Sequence, residues 1–160
     1  MRLIVSVFYV LTLFSSASLA AGSLSEREGW QVMHTSLAYD RLVEELQAAV
    51  KEEGMLLVSQ ASASAGARSR GLTIPGNRII GVYRNDYAVR MLEASVAAGI
   101  EAPIRFYVTE NTDGTATLSW KTPSFVFEPY MEEGGVALVE LAEELDLVFP
   151  VDSGKKSRVL

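Results

Sequence analysis

The stretch IRFYVTENTDGTATLSWK, residues 104–121, decides the fold class because apolar and polar side chains alternate through both of its halves. The apolar positions that share one side are Ile104, Phe106, Val108, Ala116, Leu118 and Trp120. Asp113 and Gly114 separate the two halves, and an Asp-Gly pair is typical of a tight turn between antiparallel strands. The stretch therefore predicts a β-hairpin with one buried face.

Further strands and helices are predicted on either side of this hairpin. Residues rich in strand formers predict strands over 30–36, 55–60 and 77–84. Apolar residues at helical spacing predict helices over 39–54, 86–99 and 134–149, the second with Asp86 as N-cap and Gly99 at its end. This order predicts an α+β domain in which a mostly antiparallel sheet of about five strands carries helices packed on one face.

The N-terminus has the parts of a secretory signal peptide. Arg2 precedes an uncharged apolar run over 3–14, and small residues follow it up to Ala20 and Ala21. The run is shorter than the roughly 20 apolar residues that span a membrane, so we expect no membrane span after cleavage. The predicted organisation is a cleaved signal peptide at 1–21, a short linker at 22–29, a single domain at 30–149 and a flexible tail at 150–160. We therefore expect a periplasmic or secreted bacterial protein.

Composition narrows the classes of function. The chain has 160 residues, of which 49% are hydrophobic and 21% charged, as in ordinary globular domains. It has 0 cysteines, which excludes disulfides, thiol chemistry and thiolate metal sites. The whole chain has 14 basic and 20 acidic residues, and loss of Arg2 with the signal leaves 13 against 20, a net charge of −7. This acidity argues against a nucleic-acid partner.

Three motifs in order resemble the domain-of-unknown-function 302 family of small bacterial α+β domains. They are VEELQAAVKEEGMLLVSQ at 43–60, IIGVYRNDYAVRMLEA at 79–94 and APIRFYVTENTDGTATLSW at 102–120. Many members carry an Asp-His or Ile-Asp pair where this chain has Ser59 to Ala61. One branch has cysteines at the places held here by Tyr83 or Arg84 and by Ile104. The resemblance therefore implies the fold, and no metal or thiol role carries over.

The segment ASASAGARSRGLTIPGNR, residues 61–78, supplies a candidate ligand site. It fits neither the P-loop nor the dinucleotide-binding glycine pattern. Its arginines, together with the next one along the chain, could bind an anion through their guanidinium groups: these are Arg68, Arg70, Arg78 and Arg84. The alternative is a short helix over 62–70 followed by a Gly-Pro turn, with arginines that only solubilise the surface. We expect a non-enzymatic envelope module that binds a small anionic ligand or an envelope protein.

A second hypothesis assigns an enzymatic role to His34, the only histidine. It would be a cofactor-independent hydrolase or isomerase in which His34 acts with a nearby Ser, Thr or Glu as base. No cofactor or metal is expected, since one histidine without cysteine supplies few ligands. Free strand edges also predict a homodimer through a sheet edge.

Overall fold

A computed structural model describes residues 24–149. The strands are β1 Trp30–Ala38, β2 Leu56–Ala61, β3 Asn77–Tyr83, β4 Ile104–Glu110 and β5 Thr115–Lys121. The helices are α1 Tyr39–Glu52, α2 Ala63–Arg68, α3 Asn85–Ala94, α4 Pro123–Phe127 and α5 Met131–Val148, with 3-10 helices at Ala97–Glu101 and Glu128–Tyr130. The predicted signal peptide at 1–21 and tail at 150–160 lie outside the described residues.

The five strands form one sheet in the order β1-β5-β4-β3-β2, and every neighbouring pair is antiparallel. The predicted hairpin is the β4–β5 pair, and the Asp113-Gly114 turn joins its strands, with Gly114 at φ 83°. The predicted α+β class, with helices on a mostly antiparallel sheet, is confirmed.

The core lies between one face of the sheet and the helices. Phe106, Val108 and Leu118, on the apolar side of the hairpin, are fully buried. They belong to one apolar cluster with buried leucines of the helices, namely Leu42 and Leu46 of α1 and Leu138 and Leu141 of α5. Apolar spacing in the sequence therefore identified the face of the sheet that carries the helices.

The ends of α3 differ from the prediction. Arg84, not Asp86, holds the N-cap position, and it makes no side-chain capping bond. The Asp86 carboxylate instead accepts two hydrogen bonds from the Arg84 guanidinium, at 2.8 and 3.0 Å. The helix ends at Ala94, well before Gly99, because Ser95 turns to an extended conformation and donates a hydrogen bond to Glu133 of α5.

The C-terminal helical region is longer than predicted. Helix α5 begins at Met131, and Gly135, at φ 57°, bends it. The prediction also missed α4, whose start is nonetheless marked in the sequence. Thr122 accepts a hydrogen bond from the Phe125 amide, and Pro123 follows at the first helical position, which its fixed φ suits.

Candidate functional site

The face of the sheet opposite the core carries the candidate site. Strand alternation places on it side chains from four strands that are adjacent in the sheet. They are Trp30, Val32 and His34 of β1, Thr117, Ser119 and Lys121 of β5, Arg105, Tyr107 and Thr109 of β4, and Ile79 of β3. We call this surface the open face.

A groove of about 290 Å³ lies on the open face, at the end where β4 begins and β5 ends. Trp30, Tyr107 and Ile79 provide apolar walls, and Ser119 lies in the floor. Arg105 and Lys121 are the cationic residues at its rim. A second cavity, on the core side, measures only about 40 Å³ and is almost wholly apolar, so the groove is the better candidate for a small ligand.

The rim of the groove carries a small positive excess. Its lining includes Arg105, Lys121 and one acid, Glu101, which gives a formal charge of +1. The Glu101 carboxylate lies 3.8 Å from the Arg105 guanidinium and accepts a hydrogen bond from the Tyr130 hydroxyl at 3.0 Å. That bond raises the pKa of Tyr130. Glu101 is therefore already engaged, whereas most of the Arg105 side chain, 60%, remains exposed.

Lys121 lies beside aromatic rings. Its ammonium nitrogen is 5.9 Å from the ring centroid of Trp30 and 5.9 Å from that of Phe125. Arg27 approaches the same Trp30 ring, at 5.6 Å. A cation near an aromatic face is attracted to it, so these contacts hold positive charge next to apolar surface.

His34 lies further along β1, towards the hairpin turn. It is exposed, and its Nδ1 is 3.0 Å from the Thr117 hydroxyl. The enzymatic hypothesis needs His34 in a concave pocket with a titratable partner. The groove lining does not include His34, and Thr117 is uncharged at ordinary pH. The hypothesis stays a prediction, and this geometry does not favour it.

The four arginines of the predicted anion site are not all close to one another. Arg68 and Arg70 are exposed at the end of α2. Arg78 lies at the start of β3 and Arg84 directly follows its end, six positions or about 20 Å further along. Arg84 is paired with Asp86, and its guanidinium lies 3.6 Å from the centroid of the Tyr87 ring.

One nitrogen of the Arg78 guanidinium already has a hydrogen-bond partner in the chain, and another has none within residues 24–149. It donates to Gln60 at 3.1 Å, while its buried Nε atom has no hydrogen-bond partner among the described residues. One small ligand cannot reach all four arginines. An anion at Arg68, Arg70 and Arg78 stays a prediction.

The sequence reading missed the groove residues. The alternation in residues 104–121 puts Arg105, Tyr107 and Lys121 on the polar side of the hairpin, and this was the available signal. The sequence did not show that Trp30 lies opposite Lys121, because only the pairing of β1 with β5 brings these two residues together. A pairing between strands so distant in sequence cannot be deduced from local periodicity.

Within residues 24–149, no group of three or more His, Asp or Glu side chains is placed to hold a metal ion. In the same part of the chain, no helix has the length and apolar character needed to cross a membrane.

The fold and the groove define a small α+β domain built on one antiparallel sheet with an open face. Residues 31–149 match the family described as Domain of unknown function DUF302, and the chain belongs to that family. It is similar in structure to an uncharacterized conserved DUF302 protein from Bacillus stearothermophilus, with a TM-score of 0.66 and 21% identity. The similarity covers 76% of this chain and 93% of the other and supports the fold. No curated protein matches the sequence.

Proposed function

We propose that the protein is a non-enzymatic binding module of the bacterial envelope that takes a small amphipathic monoanion in the groove of its open face. The location rests on the predicted signal peptide. The ligand rests on one observation, which is that Arg105 and Lys121 flank an aromatic groove whose lining has a formal charge of +1.

The chemistry of the groove fits an anionic head on an apolar body. A carboxylate at the rim can accept hydrogen bonds from Lys121 and Arg105, and charge-assisted bonds of this kind are stronger than neutral ones. Its apolar body would cover Trp30 and Tyr107 and remove their surface from water. One net positive charge favours a monoanion over a dianion.

Binding of decanoate, measured by isothermal titration calorimetry, tests the proposal. We expect decanoate to bind. Decanamide and acetate should bind much more weakly, because decanamide lacks the negative charge and acetate lacks the apolar body. Lys121→Gln should weaken decanoate binding about tenfold, the size of one lost hydrogen bond to a charged group.

Lys51→Gln is the matched control, because it removes the same charge from the exposed end of α1, away from the open face. If decanamide binds as well as decanoate, or if the two lysine variants lose affinity equally, the groove is not an anion site and the proposal is wrong.

A second candidate is self-association through β2, the edge strand next to β3. Its sequence LLVSQA has no charged residue and no proline, and Leu56 and Val58 are 58% and 49% exposed. Edge strands without such protection are available for pairing. We infer that two copies pair β2 to β2, so light scattering should show a dimer that Val58→Lys dissociates. A monomer at high concentration would contradict this candidate.

A further inference from the structure

A chain of side-chain hydrogen bonds links His34 to the turn of the hairpin. The His34 ring meets Thr117 at 3.0 Å, and Thr117 meets the Asn111 side-chain oxygen at 3.0 Å. The Asn111 amide nitrogen meets the Thr115 hydroxyl at 2.9 Å, and that hydroxyl meets the Asp113 carboxylate at 2.6 Å. The chain crosses from β5 to β1 on the open face.

The carboxylate at its end fixes the direction of every bond. An ionised carboxylate only accepts, so the single Thr115 hydroxyl proton points to Asp113. The two hydrogen bonds from Thr115 lower the pKa of Asp113 and keep it ionised. Thr115 must then accept from Asn111, which requires the amide nitrogen of Asn111 on that side and its oxygen on the other.

The same reasoning determines the tautomer of His34. The Thr117 hydroxyl donates its proton to the Asn111 oxygen, so towards His34 it can only accept. His34 therefore carries its proton on Nδ1 when the ring is neutral. Its Nε2 atom then has a free lone pair on an exposed side chain.

On the open face, His34 lies beyond the groove, further along β1. It lies four positions after Trp30 along β1, which corresponds to about 13 Å. Between them on the open face lie the side chains of Val32, Ser119 and Tyr107. A ligand with its anion at the rim and an extended body of this length would end at His34.

We propose that the Nε2 atom of His34 accepts a hydrogen bond from the far end of the ligand, so that the open face selects an amphipathic monoanion with a hydroxyl or amine donor opposite its anionic group. This inference rests on the proposed function for the anionic end. It makes His34 a specificity-determining residue and assigns it no chemical step.

The tautomer is testable without any ligand. Nitrogen-15 NMR of the imidazole at roughly pH 8.5, where an ordinary histidine is neutral, should show a protonated Nδ1 and an unprotonated Nε2. Thr117→Val, a change of similar shape, should abolish this preference because the acceptor is removed. A wild-type ring protonated on Nε2 would overturn the inference.

Selectivity is tested with paired ligands. We expect 10-hydroxydecanoate to bind about threefold to tenfold more tightly than decanoate, the gain of one neutral hydrogen bond. His34→Phe and Thr117→Val should remove that gain, measured in each variant as the ratio of the affinities for 10-hydroxydecanoate and decanoate. Ser36→Ala, two residues along the same strand, is the control and should keep the gain. The shorter 6-hydroxyhexanoate cannot span the distance and should gain nothing over hexanoate.

The outcomes separate the two proposals. If decanoate binds with the expected dependence on Lys121 but the hydroxyl adds no affinity, the role of His34 is wrong and the proposed function stands. If neither acid binds while the NMR tautomer is as expected, the proposed function is wrong, and the ligand role of His34 is overturned with it.

Discussion

Gly81 is the residue at which three segments of the chain meet. It lies in β3 opposite Arg105, and a Cβ atom there would come within 2.8 Å of the Pro103 ring and would also collide with the Ser59 hydroxyl. The absence of a side chain lets β2 and the start of β4 close around β3. Glycine is needed here for space, since its φ is not in the left-handed region.

Gly81→Ala should therefore lower the free energy of unfolding by about 1–3 kcal/mol, the usual cost of overpacking. Gly66→Ala is the matched control, because Gly66 lies inside α2 with nothing within 4 Å of its Cβ position. That change should raise the free energy of unfolding by up to about 1 kcal/mol through helix propensity. Urea denaturation measures both, and equal effects of the two variants would refute the packing argument.

At the scale of elements, charged side chains surround Tyr87 where α3 packs against α5. Arg84 pairs with Asp86 at 2.8 Å, and Arg90 pairs with Glu144 of α5 at 2.8 Å. Tyr87 lies between them, buried, and desolvation raises the pKa of its hydroxyl. Hydrogen bonds from the arginines lower the pKa of Asp86 and of Glu144.

These lowered pKa values predict an acid dependence of stability. A carboxyl whose pKa is lower in the folded state stabilises the fold above its unfolded pKa, near 4, and that contribution disappears as the pH falls through the folded value. The thermal midpoint should therefore decrease between about pH 5 and pH 3. The decrease should be smaller in the double variant Asp86→Asn, Glu144→Gln. Glu52→Gln, on α1, is the control, and a double variant with the wild-type profile would contradict the prediction.

The elements that the sequence predicted well are those set by local periodicity. Strict alternation identified β4 and β5, and apolar spacing identified α1 with its buried Leu42 and Leu46. The end of α3 depends on the bond between Ser95 and Glu133, a contact across 38 residues that local pattern does not encode. The candidate groove was not predicted for the same reason, because Trp30 and Lys121 become neighbours only when β1 pairs with β5.

For the whole molecule, Phe149 packs the end of α5 into the core. Its ring contacts Phe106 edge-on, with centroids 5.2 Å apart, and Phe106 in turn lies 5.4 Å from Trp120. Phe149 is 2% exposed, although it follows the last residue of α5. The family match also ends at residue 149.

Phe149→Ala should cost about 3–5 kcal/mol of unfolding free energy, as for other buried aromatic truncations. The neighbouring Leu147 is 78% exposed, so Leu147→Ala should change stability by no more than about 0.5 kcal/mol. Chemical denaturation of both variants compares a core residue with a surface residue two positions away. A loss below about 1 kcal/mol for Phe149→Ala would show that the aromatic contact does not anchor the end of α5.

The strand order also affects the order and rate of folding. Within residues 24–149, β1 is the first strand and pairs only with β5, and the contact from His34 to Thr117 spans 83 residues. Such non-local pairing carries a loop-closure cost before its contacts form, and it slows folding. When the chain emerges amino end first, β1 therefore stays unpaired until Lys121 has also emerged. The open face, with Trp30 on one strand and Lys121 on the other, comes into existence only in that late step.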